Sequence, residues 1–152
     1  IIFEWSNLEC PYVKRHYGSN NMQTTQKFAK SKNVIWITVI SSAEGKQGYI
    51  QPNDAVNTFA SFGSFPDHIL VDENGDLGKK FNAKTTPHIF IADKNKNIVY
   101  QGAIDDAGGS RFWTTDLNQS TNFVKKVIND IKSNKPLSVS KTRPYGCSVK
   151  YG

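Results

Sequence analysis

Cysteine is scarce in this sequence: 152 residues carry two, Cys10 and Cys147. That number excludes a disulfide-stapled scaffold and a four-cysteine zinc site, and it leaves either two unrelated thiols or one long-range pair. Long hydrophobic runs are missing too. None approaches the roughly 20 apolar residues of a membrane-spanning helix, so membrane insertion is not expected. No signal-peptide pattern is visible, yet the chain opens on an apolar run without a methionine, as a chain does when an upstream segment has been removed. Lys and Arg outnumber Asp and Glu by 19 to 13, a net +6, but the excess is scattered. No basic stretch is interleaved with aromatics as a nucleic-acid groove requires, so nucleic acid is not an expected partner, whereas an acidic protein surface is compatible.

What is present concentrates at the start of the chain. Ile1 to Trp5 reads as a buried strand that stops at a short polar loop, and the loop delivers Cys10 with Pro11 directly behind it. Proline is favoured at the first position of a helix, where its missing N–H would be unpaired in any case. Cys10 is thereby placed at a helix start, whose unpaired N–H groups favour negative charge and lower a thiol's pKa toward neutrality. Cys10 is the candidate nucleophile. The competing reading is a buried structural cysteine that acts as a small hydrophobe.

Downstream, a helix with Tyr12, Val13, Tyr17, Met22 and Phe28 runs to about Lys30, with a break expected at Gly18–Asn21. Val34–Ile40 is β-branched and apolar on both faces, as a central strand should be. After a polar loop, Pro52 opens a helix whose Ala55, Val56, Phe59 and Ala60 share a face and which Gly63 closes. His68–Val71 is a short strand, Asp72–Gly75 a tight turn, and Leu77–Phe81 one helical turn. Thr85-Thr86-Pro87 leads into the strand His88–Ala92, and a polar turn joins it to Ile98–Gly102. Residues 105–119 read as an irregular insertion. Phe123, Val124, Val127, Ile128 and Ile131 then define an amphipathic helix with a cap expected at Ser120 or Thr121. The order predicts an α/β fold: a central mixed sheet with helices on both faces, parallel crossovers and an antiparallel late hairpin. It comprises one domain, 1–134, followed by an extended tail, 135–152, that carries Cys147.

Four stretches carry a resemblance: Glu4-Trp5-Ser6-Asn7…Cys10-Pro11-Tyr12-Val13…His16-Tyr17, Lys84-Thr85-Thr86-Pro87-His88, Tyr100 to Asp106, and Arg143-Pro144-Tyr145-Gly146-Cys147-Ser148-Val149-Lys150-Tyr151. Together they resemble the thioredoxin-like superfamily and, within it, the redoxin or AhpC/TSA (peroxiredoxin-like) branch, in a bacterial group of redoxin-domain proteins. The resemblance implies a three-layer thioredoxin-like fold and a thiol-dependent antioxidant oxidoreductase with Cys10 as nucleophile. It makes Pro87 the cis-proline beside the active-site cysteine, with the backbone before it free to pair with an extended thiol substrate. Trp5, Asn7, Pro11, Thr86 and Pro87 would shape the site. Two features depart from the pattern. Val13 stands where a Cys-x-x-Cys motif has its second cysteine, and Asn7 stands where peroxiredoxins carry Thr or Ser, with Ser6 one place further back. Arg15, Arg111 and Arg143 are the candidates for a peroxide-activating arginine.

The implied cycle oxidises Cys10, condenses it with Cys147 as a distal resolving cysteine, and restores both with an external dithiol; no bound cofactor and no metal are expected. A thioredoxin-type reductant, a protein thiol or disulfide, or a small peroxide would be the partner, and an oligomer is compatible. The alternatives are a thiol–disulfide exchange protein and a redox-inert binding module. Glu4 is a candidate proton acceptor if buried. His16 lies nearly two helical turns beyond Cys10 and reads as packed or at the rim, and His88 follows Pro87 closely enough to approach the site. A copper-chaperone role would need a second cysteine in the first loop. The compartment is left open between periplasm and cytoplasm.

Overall fold

The apolar run at the start of the chain folds as β1, Ile2–Trp5, and sits at the centre of the sheet. The computed structural model describes all 152 residues, Ile1–Gly152. On one side β1 pairs in parallel with β2, Trp36–Ile40, which pairs in parallel with β3, His68–Val71. On the other side it pairs antiparallel with β5, His88–Ala92, and β5 with β6, Ile98–Gly102. The strand order is β3-β2-β1-β5-β6. Both faces of β1 are covered because its alternate residues enter different cores. Ile2 packs with Trp36, Ile40, Ile89 and Ile91, while Trp5 packs with Val39, Phe90 and Val149.

The first core is covered by α1 (Pro11–Gly18), α2 (Asn21–Ser31), α3 (Ala55–Ser61) and α5 (Phe123–Lys132). The second is covered by α4 (Asp76–Phe81), whose Leu77 and Phe81 lie against Trp5 and Phe90. This is the expected mixed sheet with helices on both faces. On α5, Val124, Val127 and Ile128 are buried, each stabilising the fold by roughly 1.5–3 kcal/mol.

Several local expectations are revised. The expected break falls at Ser19–Asn20, where Asn20 adopts φ +65° and separates α1 from α2. The strand expected from Val34 begins at Trp36, and Ile35 is exposed. Pro52–Asp54 forms a 3-10 turn before α3, and Val56 and Ala60 face solvent, Val56 at 68% exposure. Ala55 and Phe59, four residues apart, are enough to seat so short a helix. The α5 cap is Asn122, whose side chain accepts from the Lys125 N–H, not Ser120 or Thr121. Residues 105–119 are irregular as expected, yet Ala107, Phe112 and Leu117 form a small core of their own.

The tail lies along the body in extended form. Thr142 N–H donates to the Gln101 carbonyl and its hydroxyl accepts from Ala103 N–H. Val149 N–H donates to Lys84 O, and the Tyr151 hydroxyl to Ala83 O at 2.7 Å. Body glycines clear its path: a Cβ on Gly102 would overlap Thr142, and one on Gly78 would lie 2.6 Å from the Tyr151 oxygen.

Candidate active site

The loop between β1 and α1 is folded by Asn7. Its Oδ1 accepts from Glu9 N–H at 2.9 Å and its carbonyl accepts from Cys10 N–H at 3.0 Å, a local turn that presents Cys10 to the helix. Its Nδ2 donates to the Gln47 side chain at 3.2 Å, and the Glu9 carboxylate accepts from Gly48 N–H. Gly48 has φ +86°, and any Cβ there would overlap the Asn7 amide. The polar loop after β2 thus closes over the first loop. Asn7 shapes the site by folding it, and its polar atoms face the 47–48 backbone and side chain.

Cys10 is the N-cap of α1, with extended backbone, and Pro11 follows at the first helical position as expected. Its side chain is completely buried, and its Sγ donates to the Thr86 carbonyl at 3.4 Å. The Thr86–Pro87 peptide is cis. The backbone before it is not free, in contrast to the expectation. Thr85–Thr86 forms a two-residue strand, β4, and the tail adds β7, Cys147–Ser148, antiparallel to it with Thr86 opposite Cys147. Gly146 makes this approach feasible: it has φ +144°, and a Cβ there would overlap the Thr86 carbonyl.

Both cysteines meet at Thr86, whose carbonyl accepts from Cys10 and which lies opposite Cys147 in the β4–β7 pair, and their pKa values move in opposite directions. Burial alone would raise Cys10, but the Cys147 thiol, the first-turn Val13 N–H, Thr86 and the Cys147 backbone together bring it below the ordinary thiol value. Burial and the neighbouring Cys10 push Cys147 up. The pair is therefore polarised. Cys10 is the readier thiolate, and Cys147 is the proton-bearing partner.

The other expected residues lie elsewhere. Trp5 is buried in the second core with its Nε1 donating to Ser41 Oγ at 2.9 Å. Glu4 is fully buried and accepts from Tyr17, Trp36 and Thr38; burial pushes its pKa up to about 7 against the pull of those donors. His88 accepts from Lys84 N–H at 3.1 Å and stacks on Phe90, and burial with nearby Lys84 lowers its pKa to about 4. His16 is buried and neutral, its pKa pushed down to about 3 by burial and Arg15, and it contacts Asn21 and Tyr145. Arg15 donates to the Phe112 and Thr115 carbonyls, whereas Arg111 and Arg143 are exposed, so no arginine hydrogen-bonds at the thiol pair. Thr86 contributes mainly through its backbone. Sequence reasoning missed Tyr145, Asp105 and Asn21 as neighbours of the site; the Tyr-Gly-Cys spacing in the tail was the available signal. No group of three or more His, Cys, Asp or Glu side chains is placed to hold a metal ion, and no helix is long and apolar enough to cross a membrane.

Comparison with protein families matches Redoxin over residues 1–115. A search of curated proteins finds no match. Among solved structures, an uncharacterized conserved protein from Geobacillus kaustophilus superposes with TM-score 0.81 at 20% identity, covering 99% of this chain and 76% of that one. A hypothetical protein from Sinorhizobium meliloti gives TM-score 0.79 at 18% identity, covering 99% and 79%. The thioredoxin domain of a thiol-disulfide oxidoreductase from Bacteroides vulgatus gives 0.52 at 14%, covering 89% and 78%. At these identities the likeness is one of fold, and that fold is thioredoxin-like.

Proposed function

This chain belongs to the redoxin family, whose chemistry is thiol-based redox, and we propose that within it the protein is a dithiol oxidoreductase reducing a small peroxide. The observation that carries the reading is the meeting of the two cysteines at Thr86: its carbonyl accepts from Cys10 and β7 sets Cys147 opposite it, beside a Cys10 thiol whose pKa is lowered while that of Cys147 is raised. The Cys10 thiolate attacks one peroxide oxygen; the O–O bond breaks, the other oxygen leaves as water or an alcohol after taking a proton, and Cys10 becomes a sulfenic acid. The Cys147 sulfur then attacks that sulfur, water leaves, and a Cys10–Cys147 disulfide forms. An external dithiol, in a thioredoxin-type protein or a small molecule, returns two electrons and two protons by exchange. No bound cofactor enters the cycle. The tail strand on Thr85–Thr86 favours a small oxidant, because it occupies the backbone edge an extended substrate would use.

A second reading, thiol–disulfide exchange with a protein, is favoured by a different observation. Asn7 faces the 47–48 loop and no arginine reaches the thiols, so no side chain of the peroxide-activating kind contacts Cys10. Peptide mapping after one equivalent of hydrogen peroxide separates the two. The expected result is a Cys10–Cys147 linked peptide in the wild type and a trapped sulfenic acid on Cys10 in Cys147→Ser. A Cys10 that stays reduced under peroxide but forms an adduct with a small disulfide makes the protein an exchange catalyst.

A further inference from the structure

Two residues before Cys147, the tail is fastened by a closed ring of hydrogen bonds drawn from four parts of the chain. Tyr145 Oη donates to the Asp105 carboxylate. His16 Nε2 lies 3.2 Å from the same phenol oxygen. Asn21 Nδ2 lies 3.0 Å from His16 Nδ1 and 3.2 Å from Asp105 Oδ2. One proton arrangement satisfies every contact: the phenol donates to the carboxylate and accepts from His16 Nε2–H, and the Asn21 amide divides its two hydrogens between His16 Nδ1 and Asp105. Asp105 also accepts from Ala107 N–H at 3.1 Å. His16, Asn21 and Asp105 are all buried.

The ring sits where it can act on the thiols. His16 is on α1, the helix that Cys10 caps; Asn21 opens α2, and Asp105 follows β6. Tyr145 is packed edge-on against Phe112 and Tyr12, and Tyr12 lies next but one to Cys10. Beyond Tyr145 the chain turns at Gly146 and pairs with β4. An apolar contact at this point would hold the tail equally well but would tolerate sliding. A fully satisfied buried polar ring admits one position, since any shift strands a desolvated carboxylate or imidazole.

We propose that this ring is the clasp that sets Cys147 against Cys10, with Tyr145, His16 and Asp105 as positioning residues for the dithiol cycle. The inference rests on that cycle for its redox consequence, but not for the seating of the tail.

The test therefore has two readouts. In the fully reduced protein, the rate of Cys147 alkylation by iodoacetamide is followed by peptide mass mapping. Tyr145→Phe and His16→Leu are expected to raise it about tenfold, the equivalent of one hydrogen bond to a charged or buried group. His16→Gln, which keeps a donor near the Nε2 position, is expected to stay near the wild type. In the second readout the Cys10–Cys147 disulfide is equilibrated with dithiothreitol, whose two thiols close to a ring disulfide as two electrons and two protons pass to the cysteines. Tyr145→Phe is expected to shift that equilibrium about tenfold toward the dithiol. A wild-type alkylation rate in Tyr145→Phe overturns the clasp, and so does a His16→Gln variant as reactive as His16→Leu. A wild type that forms no disulfide at any dithiothreitol ratio sinks the dithiol cycle, while the alkylation rates still decide the clasp.

Discussion

Cys10 is held by a central strand on one side and a helix on the other, whereas Cys147 is held by a segment with two residues of regular structure. The first thiol owes its place to local chain geometry: an apolar strand, an Asn7 turn and Pro11 at the helix start. The second owes its place to a seat on the body, made of the Gly102 and Gly78 clearances, the Thr85–Thr86 edge and the Tyr145 ring. One half of the reactive pair is built into the fold, and the other is laid onto it. Changes to the seat should therefore alter the thiol pair without unfolding the domain, and changes in the core should do the reverse.

Gly146→Ala breaks the contrast most sharply. The added Cβ would overlap the Thr86 carbonyl in a backbone conformation that disfavours side chains, so β7 should leave β4. Cys147 alkylation is expected to rise at least about a hundredfold, toward the rate of an unstructured thiol, with thermal unfolding little changed. Gly18→Ala, in open space at the end of α1, should leave the thiols alone and stabilise the domain by roughly 0.5–1 kcal/mol. Equal thiol reactivity in the two variants would erase the distinction.

Glu4→Gln tests the core side. A carboxyl whose folded pKa is raised to about 7 from 4.5 contributes stability that is fully present below pH 4.5 and is lost as pH rises through 7. The wild type should lose about 3 kcal/mol relative to Glu4→Gln between pH 4.5 and pH 8, read by urea unfolding. The difference between the two proteins isolates Glu4, because His16 and His88 act identically in both. Their lowered pKa values, about 3 and about 4, make stability fall as pH drops below 6.5. A flat difference would mean that Glu4 is ionised at no cost. The smallest effect is Asn122→Ala, expected to cost about 1 kcal/mol through the α5 cap, while Thr121→Ala stays within about 0.5 kcal/mol.

The same contrast explains what could be read from the residues alone. The strand, the Cys-Pro helix start and the α5 stripe are signals a few residues long, and the folded chain bears them out. Val56 misled because a seven-residue helix needs only Ala55 and Phe59 to seat it. Asn122 does not stand out in the sequence because Ser120 and Thr121 are equally good caps in composition; the register of the helix start, with Asn122 three residues before Lys125, is visible only in the fold. The ring eluded sequence reasoning for a physical reason: Asn21 and Asp105 are 84 positions apart, and His16 and Tyr145 are 129 apart. No periodicity encodes such a meeting. Nor does the pairing of Thr86 with Cys147 announce itself, since two residues are too few to show alternation.

The tail strand also sets terms of entry for any other chain. A segment tethered to the body is present at its docking edge at an effective concentration in the millimolar range. A free peptide at micromolar concentration starts about a thousandfold behind in the contest for Thr85–Thr86. A foreign polypeptide must either bind far more tightly than β7 or arrive when β7 is already displaced, whereas a molecule of a few atoms faces no such competition. Selectivity of this kind needs no pocket; it is competitive exclusion by a resident.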